Sequence, residues 1–138
     1  MLPQLRSDYR IDDLWLVGHS FSALFGVRSL FGEPGLFDKY LLASPSIWWH
    51  DRAILDIEAD YAANHDDLSA QIFMTAGEDE AGLGTEFNMI DNMTEMATRL
   101  LGRDYPSFSL EHQVLPAESH SSTIGAAVSH GLRNLHRR

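Results

Sequence analysis

The chain of 138 residues contains no cysteine. That single absence removes disulfide scaffolds, thiolate zinc sites and cysteine nucleophiles, and it leaves the compartment open between cytoplasm and periplasm. Basic residues are scarce: 10 Lys plus Arg face 20 Asp plus Glu, a formal net charge of -10. A surface of that sign suits neither phosphate contacts nor an anionic bilayer, so nucleic acid and membrane are not expected partners. No apolar run approaches the roughly 18–20 residues that span a bilayer, and no secretory signal pattern opens the sequence. Repeats and low-complexity tracts are lacking too. No His pair stands at ligand spacing, so neither a metal nor an organic cofactor is expected.

What is present is a hydrophobic fraction of 44%, enough for one core. Short β-rich runs alternate with longer helical patterns, the signature of βαβ units and a mostly parallel sheet with helices on both faces. Strands are expected at 13–17, 40–43, 71–75 and 108–115. Helices are expected at about 21–31, 51–63, 86–101 and 122–135. Thr85 is the expected cap of the third helix, whose stripe reads Phe87, Ile90, Met93, Ala97, Leu100 and Leu101, with Gly102 at its C-terminal cap. The strands read as apolar on both faces, as in a sheet covered on both sides. Function in such sheets gathers at the carboxyl ends of the strands.

Three strand ends carry chemistry. Gly18-His19-Ser20-Phe21-Ser22 stands between the first strand and its helix. A Ser between small residues on a strand-to-helix turn is the setting of a nucleophile elbow, with the Phe21 N–H as one oxyanion donor. Ser22 stands where such elbows usually carry Gly, and Ser20 can also be read as an ordinary helix N-cap. Glu118-Ser119-His120 ends the fourth strand, where an imidazole can reach Ser20 as its base. Gly77-Glu78-Asp79-Glu80 ends the third. A carboxylate there would orient the base, and the chain order Ser, acid, His is the α/β-hydrolase order. Spacing does not choose among Glu78, Asp79 and Glu80.

These residues resemble the putative-esterase branch of the α/β-hydrolases, most closely its siderophore (enterobactin-type) esterases. The resemblance rests on Leu-Val-Gly-His-Ser-Phe at 16–21, Leu-Phe-Asp-Lys-Tyr at 36–40 and Ser-Pro-Ser-Ile-Trp-Trp at 44–49. Gly-Glu-Asp-Glu at 77–80, Leu-Pro-Ala-Glu-Ser-His at 115–120 and Gly-Leu-Arg at 131–133 continue it in family order. It implies a three-layer αβα sandwich and hydrolysis of a small-molecule ester through an acyl-enzyme. Ser20 is then the nucleophile, His120 the base and Glu80 the acid, unless a Ser-His dyad suffices. Trp48, Trp49 and His19 would contact substrate.

The family places several strands before the elbow, whereas Ser20 stands almost at the start here. The expectation is one partial domain, 1–138, lacking those strands and the loop that donates the second oxyanion N–H. Residues 2–10 resemble the helix that precedes the nucleophile strand. An open sheet edge would favour self-association. The alternatives are a catalytically silent fragment acting as an assembly partner, and an acyltransferase of the same fold.

Overall fold

Parallel strands need a crossover between them, and this chain supplies a helix each time. The computed structural model describes residues 7–82 and 87–136. In order, it contains β1 (Trp15–His19), α1 (Phe21–Gly32), β2 (Lys39–Ala43), α2 (Trp49–Asn64) and β3 (Ala70–Gly77). A 3₁₀ turn (Glu78–Gly82), α3 (Met89–Leu101), β4 (Phe108–Leu115) and α4 (Thr123–Leu135) follow. The four strands are all parallel and lie in the order β1-β2-β3-β4.

The register sorts the side chains into two faces. Leu16, Tyr40, Ile72 and Leu110 form one row, and Val17, Leu41, Phe73 and Glu111 the next, on the opposite side. The first face packs under α1, α2 and α3, with Val27, Leu30, Ile54, Met93, Met96 and Leu100 in one buried cluster. On the second face, Leu41, Phe73 and Leu115 pack against Ala127 and Leu135 of α4. Gly131 lets α4 sit close, because a Cβ there would stand 2.5 Å from Leu41 Cδ1. At the amino end of the sheet, the Lys39 ammonium donates to the Leu135 carbonyl at 3.1 Å and pairs with Asp13 at 2.9 Å. A cation at a helix C-terminus complements its dipole.

Several expectations need correction. Coverage on both faces is extensive for β2 and β3, whereas on β1 and β4 the second face is covered only in part, at Trp15 and Leu115. Among the described residues α4 is the one helix on the second face, so Val17 on β1 is 50% exposed and Glu111 and Gln113 on β4 face solvent. β1 runs two residues later than expected. In α3 the buried positions are Met89, Asn92, Met93, Met96, Ala97 and Leu100, so Met93, Ala97 and Leu100 of the expected stripe face the core, whereas Phe87 and Leu101 are exposed. The helix starts at Met89, where the Asn88 side chain accepts the Asp91 N–H. Thr85, the expected cap, lies outside the described residues, as do positions 2–6 of the segment likened to the preceding helix. The opening turn of α2 contains three left-handed residues, His50, Asp51 and Arg52, with φ of 52°, 55° and 64°.

Candidate active site

The parallel arrangement brings the ends of all four strands to one edge, where the expected residues meet. Ser20 occupies the turn between β1 and α1 with φ 59° and ψ -120°. A non-glycine residue there carries about 1–3 kcal/mol of strain, a conformation that persists only when its surroundings impose it. They do: its N–H donates to the Ala43 carbonyl at 2.9 Å and its carbonyl accepts from Leu24 N at 3.0 Å. Gly18 permits the tight approach, since a Cβ would lie 2.6 Å from the Ser22 carbonyl oxygen. The Ser22 hydroxyl folds back on the turn, accepting from His19 N at 2.8 Å and donating to His19 O at 2.7 Å. The atom that Gly would lack is therefore hydrogen-bonded within the turn.

The Ser20 side chain makes no cap bond to α1. Its Oγ lies 3.1 Å from His120 Nε2 and 3.3 Å from Ser46 Oγ. His120 Nδ1 lies 2.8 Å from Glu80 Oε2. A carboxylate only accepts, so this contact fixes the ring proton on Nδ1 and leaves Nε2 to accept from the serine. Glu80 is 1% exposed. Its Oε1 accepts from Gly77 N at 2.7 Å and from Ser44 Oγ at 2.6 Å, with Thr123 Oγ1 farther away at 3.4 Å. The neighbouring acids turn outward. Glu78 accepts the Ala117 N–H at 2.9 Å, and Asp79 is exposed while its N–H donates to the Glu118 carbonyl at 3.1 Å.

His120 is held from both sides. Gly77 lets the 116–120 loop lie against the end of β3, because a Cβ there would sit 2.3 Å from Glu118 O. His19 Nε2 contacts the His120 carbonyl oxygen at 2.8 Å, and the two rings are 4.6 Å apart. His19, expected among the substrate contacts, thus has that nitrogen engaged by the backbone of the His120 loop. The Phe21 N–H begins α1 and has no acceptor within the helix, which leaves it free to donate.

Aromatic rings surround the Phe21 side chain. It stands edge-on to Trp48 at 5.8 Å and to Trp49 at 5.0 Å, and Trp48 meets Phe87 at 4.8 Å. Trp48, Phe87, Met89 and His120 line an open, mainly apolar cleft of about 370 Å³. Across the Trp48–Phe87 wall lies a second groove of about 620 Å³, which Trp49, Arg52, Asp91 and Glu95 also line.

No family model matches the chain. It is 30% identical over 135 residues to the ferri-bacillibactin esterase BesA of Bacillus subtilis, an alignment covering 95% of this chain and 46% of that protein. Over 40 residues it is 58% identical to a siderophore enterobactin esterase of Emericella nidulans, covering 29% of this chain and 13% of that one. The solved structure of the siderophore hydrolase EstA from Aspergillus nidulans superposes with a TM-score of 0.80 at 30% identity, over 89% of this chain and 47% of that one. In sequence and fold this chain is siderophore-esterase-like. It spans about half the length of BesA and of EstA.

Three side chains of this site went unassigned in the sequence: Ser44, Ser46 and Thr123. The first two lie in the Ser-Pro-Ser run directly after β2, at the same sheet edge as Ser20. That position was the available signal, because strand ends are where side chains converge. Both hydroxyls are fully buried.

Proposed function

We propose that this chain carries the catalytic residues of a serine carboxylic-ester hydrolase that works through an acyl-enzyme. The observation that carries the reading is the unbroken Ser20–His120–Glu80 hydrogen-bond chain across three strand ends. Ser20 Oγ attacks the ester carbonyl carbon while its proton passes to His120 Nε2, and Glu80 holds the ring in that tautomer and stabilises the imidazolium. The carbonyl electron pair moves to oxygen, where the Phe21 N–H donates to it. Collapse expels the alcohol, which His120 protonates. Water, deprotonated by His120, then releases the acid by the same steps in reverse order.

A siderophore-type ester is the proposed substrate. The names of the relatives support it, as does the aromatic wall of Trp48 and Trp49 beside the nucleophile. A flat aromatic or acyl arm buries well against such rings. An acyltransferase would use the same acyl-enzyme and differ only in the acceptor, which product analysis with an added alcohol separates.

The test is intact-mass spectrometry after fluorophosphonate treatment. One adduct on the wild-type chain, abolished by both Ser20→Ala and His120→Ala, is expected. A folded wild-type chain that takes no adduct would show that this polypeptide does not assemble an activated serine, favouring a silent assembly partner.

A further inference from the structure

Ser46 lies behind the nucleophile, on the loop between β2 and α2. Its backbone is anchored twice: the Ser46 N–H donates to the Ser20 carbonyl at 3.3 Å, and its carbonyl accepts from Trp49 N at 3.0 Å. The side chain is fully buried, and among the described residues its hydroxyl has one partner, Ser20 Oγ at 3.3 Å. Buried hydroxyl groups are rarely left without a hydrogen bond. Ser20 has a single proton, and His120 Nε2, with its partner nitrogen facing Glu80, accepts it. The remaining proton between the two hydroxyls belongs to Ser46, so the direction is set: Ser46 O–H donates to Ser20 Oγ.

We propose that Ser46 is a catalytic hydrogen-bond donor to the nucleophile oxygen. The proposal rests on Ser20 being the nucleophile. Negative charge accumulates on Ser20 Oγ twice in the cycle: as its proton leaves for His120, and again when the acyl–oxygen bond breaks in deacylation. At both moments Ser46 donates to that charge without giving up its own proton. At 3.3 Å the resting contact is longer than the usual 2.7–2.8 Å for hydroxyl pairs. It therefore contributes little to the ground state and can shorten as charge develops, which is the condition for an interaction to accelerate a reaction. The run Ser-Pro-Ser then has two distinct duties at one strand end: Ser44 holds the acid and Ser46 serves the nucleophile.

The experiment compares second-order fluorophosphonate labelling rates of wild-type, Ser46→Ala and Ser46→Cys chains across pH. Folding is checked by circular dichroism, and the His120 ring is followed by NMR. Ser46→Ala should label about tenfold more slowly, the loss of one ordinary hydrogen bond made in the transition state. The midpoint of its pH–rate curve and the His120 resonances should not move, because the base is untouched. Ser46→Cys, a near-isostere with a weak donor, should fall between the two, and it decides the matter if the alanine variant does not fold. Labelling of Ser46→Ala at the wild-type rate would overturn the proposal while leaving Ser20 as nucleophile. A slower rate accompanied by a shifted midpoint would overturn it too, since Ser46 would then act by placing His120. A wild-type chain that takes no adduct overturns both readings together.

Discussion

At the scale of single residues, the proposed chemistry depends on which acid faces His120. Spacing placed a carboxylate at the end of β3 and left Glu78, Asp79 and Glu80 open, while the family resemblance implied Glu80. Spacing could not choose because the choice depends on the phase of a 3₁₀ turn, which sends two of three consecutive side chains to solvent. It depends also on donors from two strand ends, Gly77 N at the end of β3 and Ser44 Oγ just after β2, which converge on Glu80 Oε1. Glu80→Gln should therefore lower the labelling rate of Ser20 by a hundredfold or more, since an amide can present its N–H to Nδ1 and stabilise the wrong tautomer. Asp79→Asn should change it by less than about twofold, an exposed charge being weakly coupled to a buried site. Equal rates for Glu80→Gln and wild type would instead mean a working Ser-His dyad. Ser44→Ala should unlatch the same carboxylate, lowering stability by about 1.5–3 kcal/mol in urea denaturation, as expected when a buried charged group loses a hydrogen bond.

At the scale of elements, alternation and periodicity located the four strands and four α-helices among the described residues, with errors at the boundaries and without the 3₁₀ turn Glu78–Gly82 or the left-handed opening of α2. β4 was legible to the residue because Phe108–Leu115 is closed by Pro116. The left-handed opening of α2 was not, since His50, Asp51 and Arg52 carry no glycine to announce positive φ. Two predictions belong here. Gly131→Ala would press a methyl group to 2.5 Å from Leu41 Cδ1 and 3.0 Å from Phe73 Cδ1. Either the helix or the buried Leu41 side chain must shift, at a cost of about 1–3 kcal/mol readable as a lower denaturation midpoint. The second concerns Asp67, between α2 and β3. Its Oδ1 accepts the N–H groups of Leu68 at 2.8 Å and Ser107 at 2.9 Å, tying that connection to the start of β4. The bonds from Ser107, chiefly, hold its carboxyl below the usual value of 3.8. A folded-state value below the unfolded one contributes stability above the unfolded value and loses it as pH falls through the folded one. Asp67→Asn should accordingly be destabilising at pH 7, with a smaller penalty at about pH 3, below the usual carboxyl value. A penalty of the same size at both pH values would show that the charge is not what matters.

At the scale of the whole molecule, two surface properties oppose each other. β1 forms an edge of the described sheet, and the apolar side chains beside it are open: Val17 is 50% exposed, Phe21 50% and Phe25 59%. An edge of that kind is a template for pairing with another chain. Against it stands the formal net charge of -10, which keeps copies apart at long range. Both properties were partly legible in the sequence, the charge from composition and the open edge from the family resemblance. The exposure of Val17 was not, because it depends on how far α4 reaches across the second face. Salt separates the two effects. At about 0.01 M salt the Debye length is about 30 Å and repulsion spans the molecule, whereas at about 1 M it shrinks to about 3 Å. The hydrogen bonds and apolar contacts of a strand edge are short-ranged and survive that screening. Sedimentation velocity should thus show a monomer at low salt and concentration-dependent association at high salt, reversed by Val17→Lys, which places a charge on the edge strand without touching the Ser20 turn. A monomer at every salt concentration would mean that the exposed edge and its aromatic neighbours do not bind a second copy, and association unchanged by Val17→Lys would move the contact to another face.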